Sequence, residues 1–546
     1  MSTSPPSPDG STHSLIALEL ERADDDSSDG DGLGGVPRGL AMKFGGDFAP
    51  DGACEGGDDD LSHTPFWNAT LNNIMYIASP LAMPATLAAG GWFFGNVWFV
   101  YCAACTYWTG TIIGKVFNAH PALTTYPAMV GEALHARCYA ATGDATAARE
   151  HRRRGKRAAK ALQFTTFYLD TVTQIIFIAQ YLGQLAPRAE VCQSTWLFIV
   201  WLMVIPVMQI PTFHASRWVI VPAVTVLFLV VASFFAEVSL VKVREKTGAR
   251  ATRVLLALAW DCEPGPSYGG VTAGSVFVSL SGMSYAFGGH GLFPETLREM
   301  KDPERWPTVM KLTYGAVVPT YFVVMTLGYY AYGSFVNANV NLNFPNNGIN
   351  VFSLVMQLLQ CYYLVFYTNV VLVMGLEMRL GIDPTATWTP AYAPPPLLPG
   401  FFPGGGLRIS IAPVWARLAL RTAFLASQMI VAELFIASGS EDVILAAQAL
   451  TGAVGMAAMT FFLPSVLASH LLPSDAFGDR ERKFIAVNFW IGIFIMATGV
   501  VTSSYDLLRD VGGKEACLLG FTYSPNDPGD PCYVSGIDGE GGRGEL

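Results

Sequence analysis

Residues 276–295 read VFVSLSGMSYAFGGHGLFPE. The stretch is apolar enough for a bilayer, yet Gly282, Gly288, Gly289 and Gly291 weaken a helix drawn through it, and Pro294 ends or kinks one. In lipid every backbone N–H and C=O must find a partner within the chain. An interrupted helix is therefore tolerated only where its backbone is buried in protein or lines a cavity. A second stretch of this kind, NNIMYIASPLAMPATLAAGGW, lies at 72–92. There Pro80 and Pro84 each remove a donor, which frees carbonyls around Ile77 to Pro80.

Outward from these two stretches, a membrane span needs about 20 mostly apolar residues. Eleven segments qualify, near 66–90, 92–116, 162–186, 194–211, 218–240, 271–293, 308–333, 349–374, 415–437, 443–469 and 484–504. The whole chain of 546 residues is 51% hydrophobic and 14% charged, against about 25% charged in soluble proteins. This composition predicts an all-α polytopic membrane protein with about eleven spans. The glycines at 90–91 make the first two spans a tight hairpin.

The interrupted spans are the first and the sixth, the leading members of two five-span halves (1–5 and 6–10). An odd number of spans per half inverts the second half in the membrane. Interrupted helices at matching places in an inverted 5+5 repeat point to a transporter's binding site near the midplane. Half-helix ends present unpaired N–H and C=O groups that can hold a carboxylate or an ammonium. The bland alternative is that Pro and Gly are simply frequent in membrane helices.

Charge divides the chain into three. Residues 1–65 hold 14 acids against 3 bases, and residues 504–546 hold 8 against 3. Residues 66–503 hold 21 acids against 27 bases. The first segment, rich in Ser, Gly, Pro and Asp, reads as a disordered acidic tail without a signal peptide. The middle reads as the transporter domain and the last segment as an extracellular or lumenal tail. Bases concentrate in the even-numbered connections, among them HRRRGKR at 151–157, Arg217, Arg379 and Arg408, and Arg480, Arg482 and Lys483. That asymmetry places the N-terminus in the cytosol and, after eleven spans, the C-terminus outside. The external connection KVREKTGARATR at 242–253 is a basic exception.

Ionisable residues at membrane depth are expensive and are functional candidates by default. His290 sits in the glycine-rich break and Asp170 in the third span, where Thr173 and Gln174 extend a polar stripe at i+3 and i+4. Both are candidates for coupling, with a structural hydrogen bond as the alternative for each. At the breaks, Asn73, Ser79, Pro80, Leu81, Ser281, Tyr285, Gly288 and Gly289 are candidate substrate contacts, joined by Tyr363 in mid-span eight. Gln357 and Gln360 share a face with Tyr363. Glu295 and Arg298, at i and i+3 on the cytosolic end of span six, are candidates for an inner gate. Glu377 lies near a cytosolic helix end, where a solvated face is the default, and Glu433 has no assigned role. GxxxG spacings at Gly91/Gly95 and Gly110/Gly114 read as close helix packing.

Three blocks resemble the amino acid/auxin permease family. Asn73 followed by LAMPATLAAGGW is similar to the family's first helix, YAFGGHGLFPETLREMKDPERWP at 285–307 to its FGGH…PE…M-x-x-P stretch, and GAVGMAAMTFFLPSVL at 452–467 to a late family helix. HxSRW near 214–218 resembles its short loop after helix four. The resemblance covers roughly 66–503. It implies a broken-helix inverted-repeat fold and proton-coupled movement of amino acids or related carboxylates, with sodium as the other coupling ion. Many amino-acid members have Gly-x-Gly where this chain has Ile77-Ala78-Ser79, and auxin permeases lack that pair too. An indole or organic acid is thus an alternative substrate, and a membrane nutrient sensor an alternative role.

Several classes drop out. There is no phosphate-binding Gly-x-x-x-x-Gly-Lys-Ser/Thr, no HExxH and no Gly-x-Ser-x-Gly, so no enzyme, no cofactor and no metal is expected. The net charge of −10 gives no basis for nucleic acid. The nine cysteines lack metal spacing. The expected setting is an integral protein of the plasma membrane or a vacuolar or lysosomal membrane.

Overall fold

The computed structural model describes residues 64–186, 193–209, 220–240, 268–344, 347–380, 413–437 and 443–509. Both tails beyond these limits, the HxSRW motif and the 242–253 connection lie outside the described residues, as do Cys517 and Cys532, whose pairing is expected if the last segment is extracellular or lumenal. Helices cover all eleven expected spans, and the one pairing of extended backbone among the described residues is an isolated bridge between Thr64 and Met300. Among the described residues, seven helical runs are long and apolar enough to cross a membrane, and the first of them, Phe66–Ala119, contains two passes. Helix Ser194–Met208 is a shorter apolar one. The other two spans, within Ala145–Leu185 and Ala273–Glu299, carry the polar residues of the site and are packed inside the bundle, which explains their lower apolar content.

The two breaks have the same construction. Helix Phe66–Ile77 stops at Ala78 and Ser79, both outside helical geometry; a 3₁₀ turn, Pro80–Ala82, leads into helix Met83–Gly90. Helix Ala273–Ala286 begins in a capping box of Thr272 and Ser275 and stops at Phe287–Gly289. A 3₁₀ turn, His290–Leu292, then leads into helix Phe293–Glu299. Pro84 and Pro294 each stand in the first turn of the second half-helix. A missing N–H costs nothing there, so these prolines start helices rather than kink them.

The hairpin between the first two passes turns at Gly91, whose φ of +66° suits glycine. Close approach fixes its other glycines: a Cβ on Gly95 would lie 3.0 Å from the Leu87 carbonyl.

The basic run at 151–157 is not in a loop. Asp144 caps a helix by accepting from the Thr146 and Ala147 N–H groups, and that helix runs unbroken from Ala145 to Leu185. A preceding helix, Tyr126–Thr142, packs against its first turns through Gly131 and Gly155, where a Cβ on Gly155 would lie 3.4 Å from the Gly131 Cα. Several contacts mark this end of the molecule. Thr64 N–H donates to Glu299 O at 2.8 Å and Lys301 N–H donates to Thr64 O at 3.0 Å, while Asn118 reaches Pro303 and His120 reaches Leu471.

In the tenth span, Gly452–Met456 and Ala458–Phe462 widen into π-turns. Such turns unsettle regular helical pairing and are frequent at functional sites.

Candidate substrate site

The freed backbone of the first break has specific partners. The Tyr321 hydroxyl accepts from Ser79 N–H at 2.8 Å and donates to Ile77 O at 2.5 Å, with Ala286 O of the other break 3.1 Å away. One phenol thus joins both interrupted helices to span seven. Gln360 Nε2 donates to Ala78 O at 3.0 Å and ties span eight to the same break.

Beside this break is a small, narrow cavity lined by Ser79, Pro80, Leu81, Ala82, Gln174, Phe177, Tyr181, Val230, Gln357, Gln360, Cys361 and Leu364. Its wall is apolar apart from amides, hydroxyls and one thiol, and among the described residues no Lys, Arg, Asp or Glu lines it. The polar groups are connected. Gln174 Nε2 donates to the Tyr285 hydroxyl at 3.4 Å, and that hydroxyl donates to Asp170 Oδ1 at 2.6 Å. On the other side Tyr181 donates to Gln357 Oε1 at 2.6 Å, and Gln357 Nε2 donates to Asn341 Oδ1 at 2.5 Å in the 3₁₀ turn Val340–Asn343.

The structure brings some of the expected residues together and separates others. Ser79, Pro80 and Leu81 line the cavity, and Tyr285 and Asp170 form the pair behind Gln174. Tyr363 lies one turn along span eight from Gln360, stacked on Tyr367 with ring centroids 5.9 Å apart; its hydroxyl has no hydrogen-bond partner among the described residues. Asn73 is buried, and its Nδ2 has no hydrogen-bond partner among the described residues.

Ser281 and Gly288 face spans ten and eleven instead. A Cβ on Gly499 would lie 2.0 Å from Ser281 Oγ, and a Cβ on Gly288 would lie 2.4 Å from the Met456 sulfur. Gly289 gives room to Ile77, whose Cγ1 would be 3.1 Å from a Cβ there.

His290 is fully buried against the second span, away from the cavity. Its Nε2 is 3.0 Å from Thr106 O and 2.9 Å from Thr109 Oγ1. A carbonyl can only accept, so Nε2 carries the proton; Nδ1 has no partner among the described residues. Glu295 does not pair with Arg298 among the described residues. Its Oε1 is 3.5 Å from Gln163 Nε2, and Gln163 also donates to Gly291 O at 2.7 Å.

Glu377 departs most from expectation. It is fully buried in a two-pronged ion pair with Arg421, at 2.6 and 3.0 Å, and Arg421 also donates to Met208 O at 2.6 Å. Glu433, unassigned from sequence, accepts from Ser194. Cys102, Cys105 and Cys361 are buried free thiols, as their apolar neighbours predict. Tyr321, Tyr181 and Phe177 were not singled out in the sequence. A signal was available for the amides, because Gln174, Gln357 and Gln360 are polar groups inside apolar spans.

A family model described as transmembrane amino acid transporter protein matches residues 63–505. The chain belongs to that family. Among curated members, it is similar to amino acid transporter AVT1B of Arabidopsis thaliana, 22% identical over 290 residues, covering 52% of this chain and 47% of the relative. AVT1E of the same plant is 21% identical over 292 residues, covering 51% and 48%. The chain spans about half the length of the curated relatives it matches. Among solved structures, a Na+-coupled sialic acid symporter in a substrate-bound outward-open state aligns over 82% of this chain and 91% of that one, at TM-score 0.40 and 9% identity. Family membership and the apolar helices make this an integral membrane protein of an amino acid transporter family.

Proposed function

We propose that the chain is a secondary active transporter that moves an amino acid across a membrane by alternating access, driven by a proton gradient. The observation that carries this reading is the route from cavity to acid: Gln174 lines the cavity, donates to Tyr285, and Tyr285 donates to Asp170. Asp170 and Gln174 are on span three; Tyr285 is at the break of span six. A proton on Asp170 changes the acceptor that Tyr285 faces, so protonation and the state of the broken helix are linked through one hydrogen bond.

The carbonyls of the first break offer no ready cation site, since Tyr321 and Gln360 already donate to Ile77 O and Ala78 O. Asp170 is the acid beside the cavity, which supports a proton over sodium as the coupling ion. His290 serves as a support of the second break, its Nε2 donating to Thr106 O of span two. Glu295, with Gln163 across from it, fits an inner latch between spans six and three. The Tyr363–Tyr367 stack, with Tyr76 5.8 Å from Tyr367, fits an aromatic closure below the cavity. Asn73, Ser281, Gly288 and Gly289 complete the set as supports and contacts of the moving broken helices.

The cavity wall favours a zwitterion over an indole or organic acid. A lone carboxylate would leave water for a site without a cation, whereas an amino acid brings its own compensating charge. The Lys/Arg distribution supports a cytosolic N-terminus. The test is uptake into proteoliposomes with an imposed pH gradient over a panel of amino acids and indole acids. Gradient-driven uptake of an amino acid is expected; no uptake of any amino acid contradicts the proposal.

A further inference from the structure

The helix Ala145–Leu185 carries a charged face that the transport reading does not use. Arg149, Arg153, Lys156 and Arg157 are exposed, and Lys160 continues the same line. At about 100° per residue, these five fall on one face roughly 100° wide and about 16 Å long. Their neighbours are engaged: Arg152 is 3.1 Å from Glu132, and Arg154 is 2.8 Å from Glu150. Among the described residues, Arg149, Arg153, Lys156 and Arg157 form no ion pair.

The helix is continuous with the third span, whose apolar stretch starts near Leu162. Arg149 therefore stands about 20 Å further along the axis, beyond a headgroup layer only about 5–8 Å deep. Most of the face is out of reach of lipid, which favours a soluble polyanion. The chain supplies one. Residues 24–31 read DDDSSDGD, five aspartates in eight positions, within a tail holding 14 acids against 3 bases. The tail joins the bundle at Thr64, whose bonds to Glu299 and Lys301 put it at the same end as the Tyr126–Thr142 helix that packs on the basic one. From Thr64, the stretch back to Asp31 can extend by up to about 110 Å, ample for the distance.

We propose that the acidic segment Asp24–Asp31 docks on the basic face formed by Arg149, Arg153, Lys156, Arg157 and Lys160. The contact is electrostatic and local to the helical hairpin beside the inner half of span six, so it is weakened by salt and by phosphate-sized competitors. It does not depend on what the transporter carries.

The test uses the full chain in nanodiscs of neutral phosphatidylcholine, with spin labels at Ser28 and Ala158 and distances read by pulsed EPR. A narrow short-distance population is expected, lost in about 1 M salt, where the screening length is about 3 Å. It is also expected to be lost when Arg149, Arg153, Lys156 and Arg157 are all changed to Glu. Changing Asp24, Asp25, Asp26, Asp29 and Asp31 to Lys in that variant should restore it, which a misfolded hairpin would not allow. A broad distribution in neutral discs that neither reversal alters overturns the proposal. So does a short distance that survives the basic-face reversal.

Discussion

The Tyr285 hydroxyl donates to Asp170 Oδ1 at 2.6 Å and accepts from Gln174 at 3.4 Å, so one phenol stands between the cavity and a buried acid. Tyr285 sits one residue before the end of the first half of span six, and Asp170 lies inside span three. Removing the hydroxyl takes away the acid's short hydrogen bond from the phenol. Tyr285→Phe is expected to fold, because only an oxygen is lost, and to lower kcat/KM for uptake by about ten- to a hundredfold, the equivalent of a charged hydrogen bond worth about 1.5–3 kcal/mol. Concentration-dependent uptake at fixed pH gradient measures it; a change under twofold would remove Tyr285 from the coupling route.

Tyr321 makes a separate prediction. Tyr321→Phe strands Ser79 N–H and uncovers Ile77 O at the first break. Leaving such buried groups unsatisfied costs about 1–3 kcal/mol each. The variant should unfold at lower temperature in detergent and transport poorly. Gln360→Ala, which uncovers only Ala78 O and lies at the cavity wall, should raise KM more than it lowers thermal stability.

For His290 the structure sharpens the choice left open by sequence. Its proton-bearing Nε2 reaches a carbonyl of span two, and an amide nitrogen can make the same bond. His290→Gln is expected to retain gradient-driven uptake with the wild-type pH profile, while His290→Ala loses stability. A flattened pH profile in a well-folded His290→Gln protein would instead assign coupling to the histidine.

The Arg421–Glu377 pair joins spans eight and nine, and Arg421 closes the end of span four through Met208 O. Breaking a fully buried pair from one side leaves an uncompensated charge, at a cost of about 3–5 kcal/mol. Arg421→Ala and Glu377→Ala should each lower the melting temperature sharply. The double change Arg421→Met with Glu377→Leu should recover much of the loss, which a thermal scan of the purified proteins would detect.

What the sequence revealed depended on how local the cause was. Pro80, Pro84 and the glycines at 288–291 act on their own backbone, so both breaks were legible where the structure has them. The partners of those breaks were not: Tyr321 is 244 positions from Ile77, and nothing in a tyrosine's neighbours announces a distant carbonyl. Asp170 was legible as a residue in need of a partner, but not which partner. Glu377 was misread because nearness to a span's end suggested water, whereas Arg421 buries it from another span. The basic run at 151–157 looked like a connection because its charge masks the helix that Asp144 begins. Ser281 lies at the right height but on the far face, against Gly499.

The most direct test of the mechanism separates coupling from carriage in Asp170→Asn, using proteoliposomes and an amino acid that the wild type accumulates under an inward proton gradient. An asparagine keeps the size and can still accept from Tyr285, but it cannot take up a proton. The expected result is exchange of labelled for unlabelled substrate at a rate within about threefold of wild type, with no gradient-driven accumulation. Accumulation by Asp170→Asn at the wild-type level, with unchanged pH dependence, would contradict the assignment of Asp170 as the coupling group.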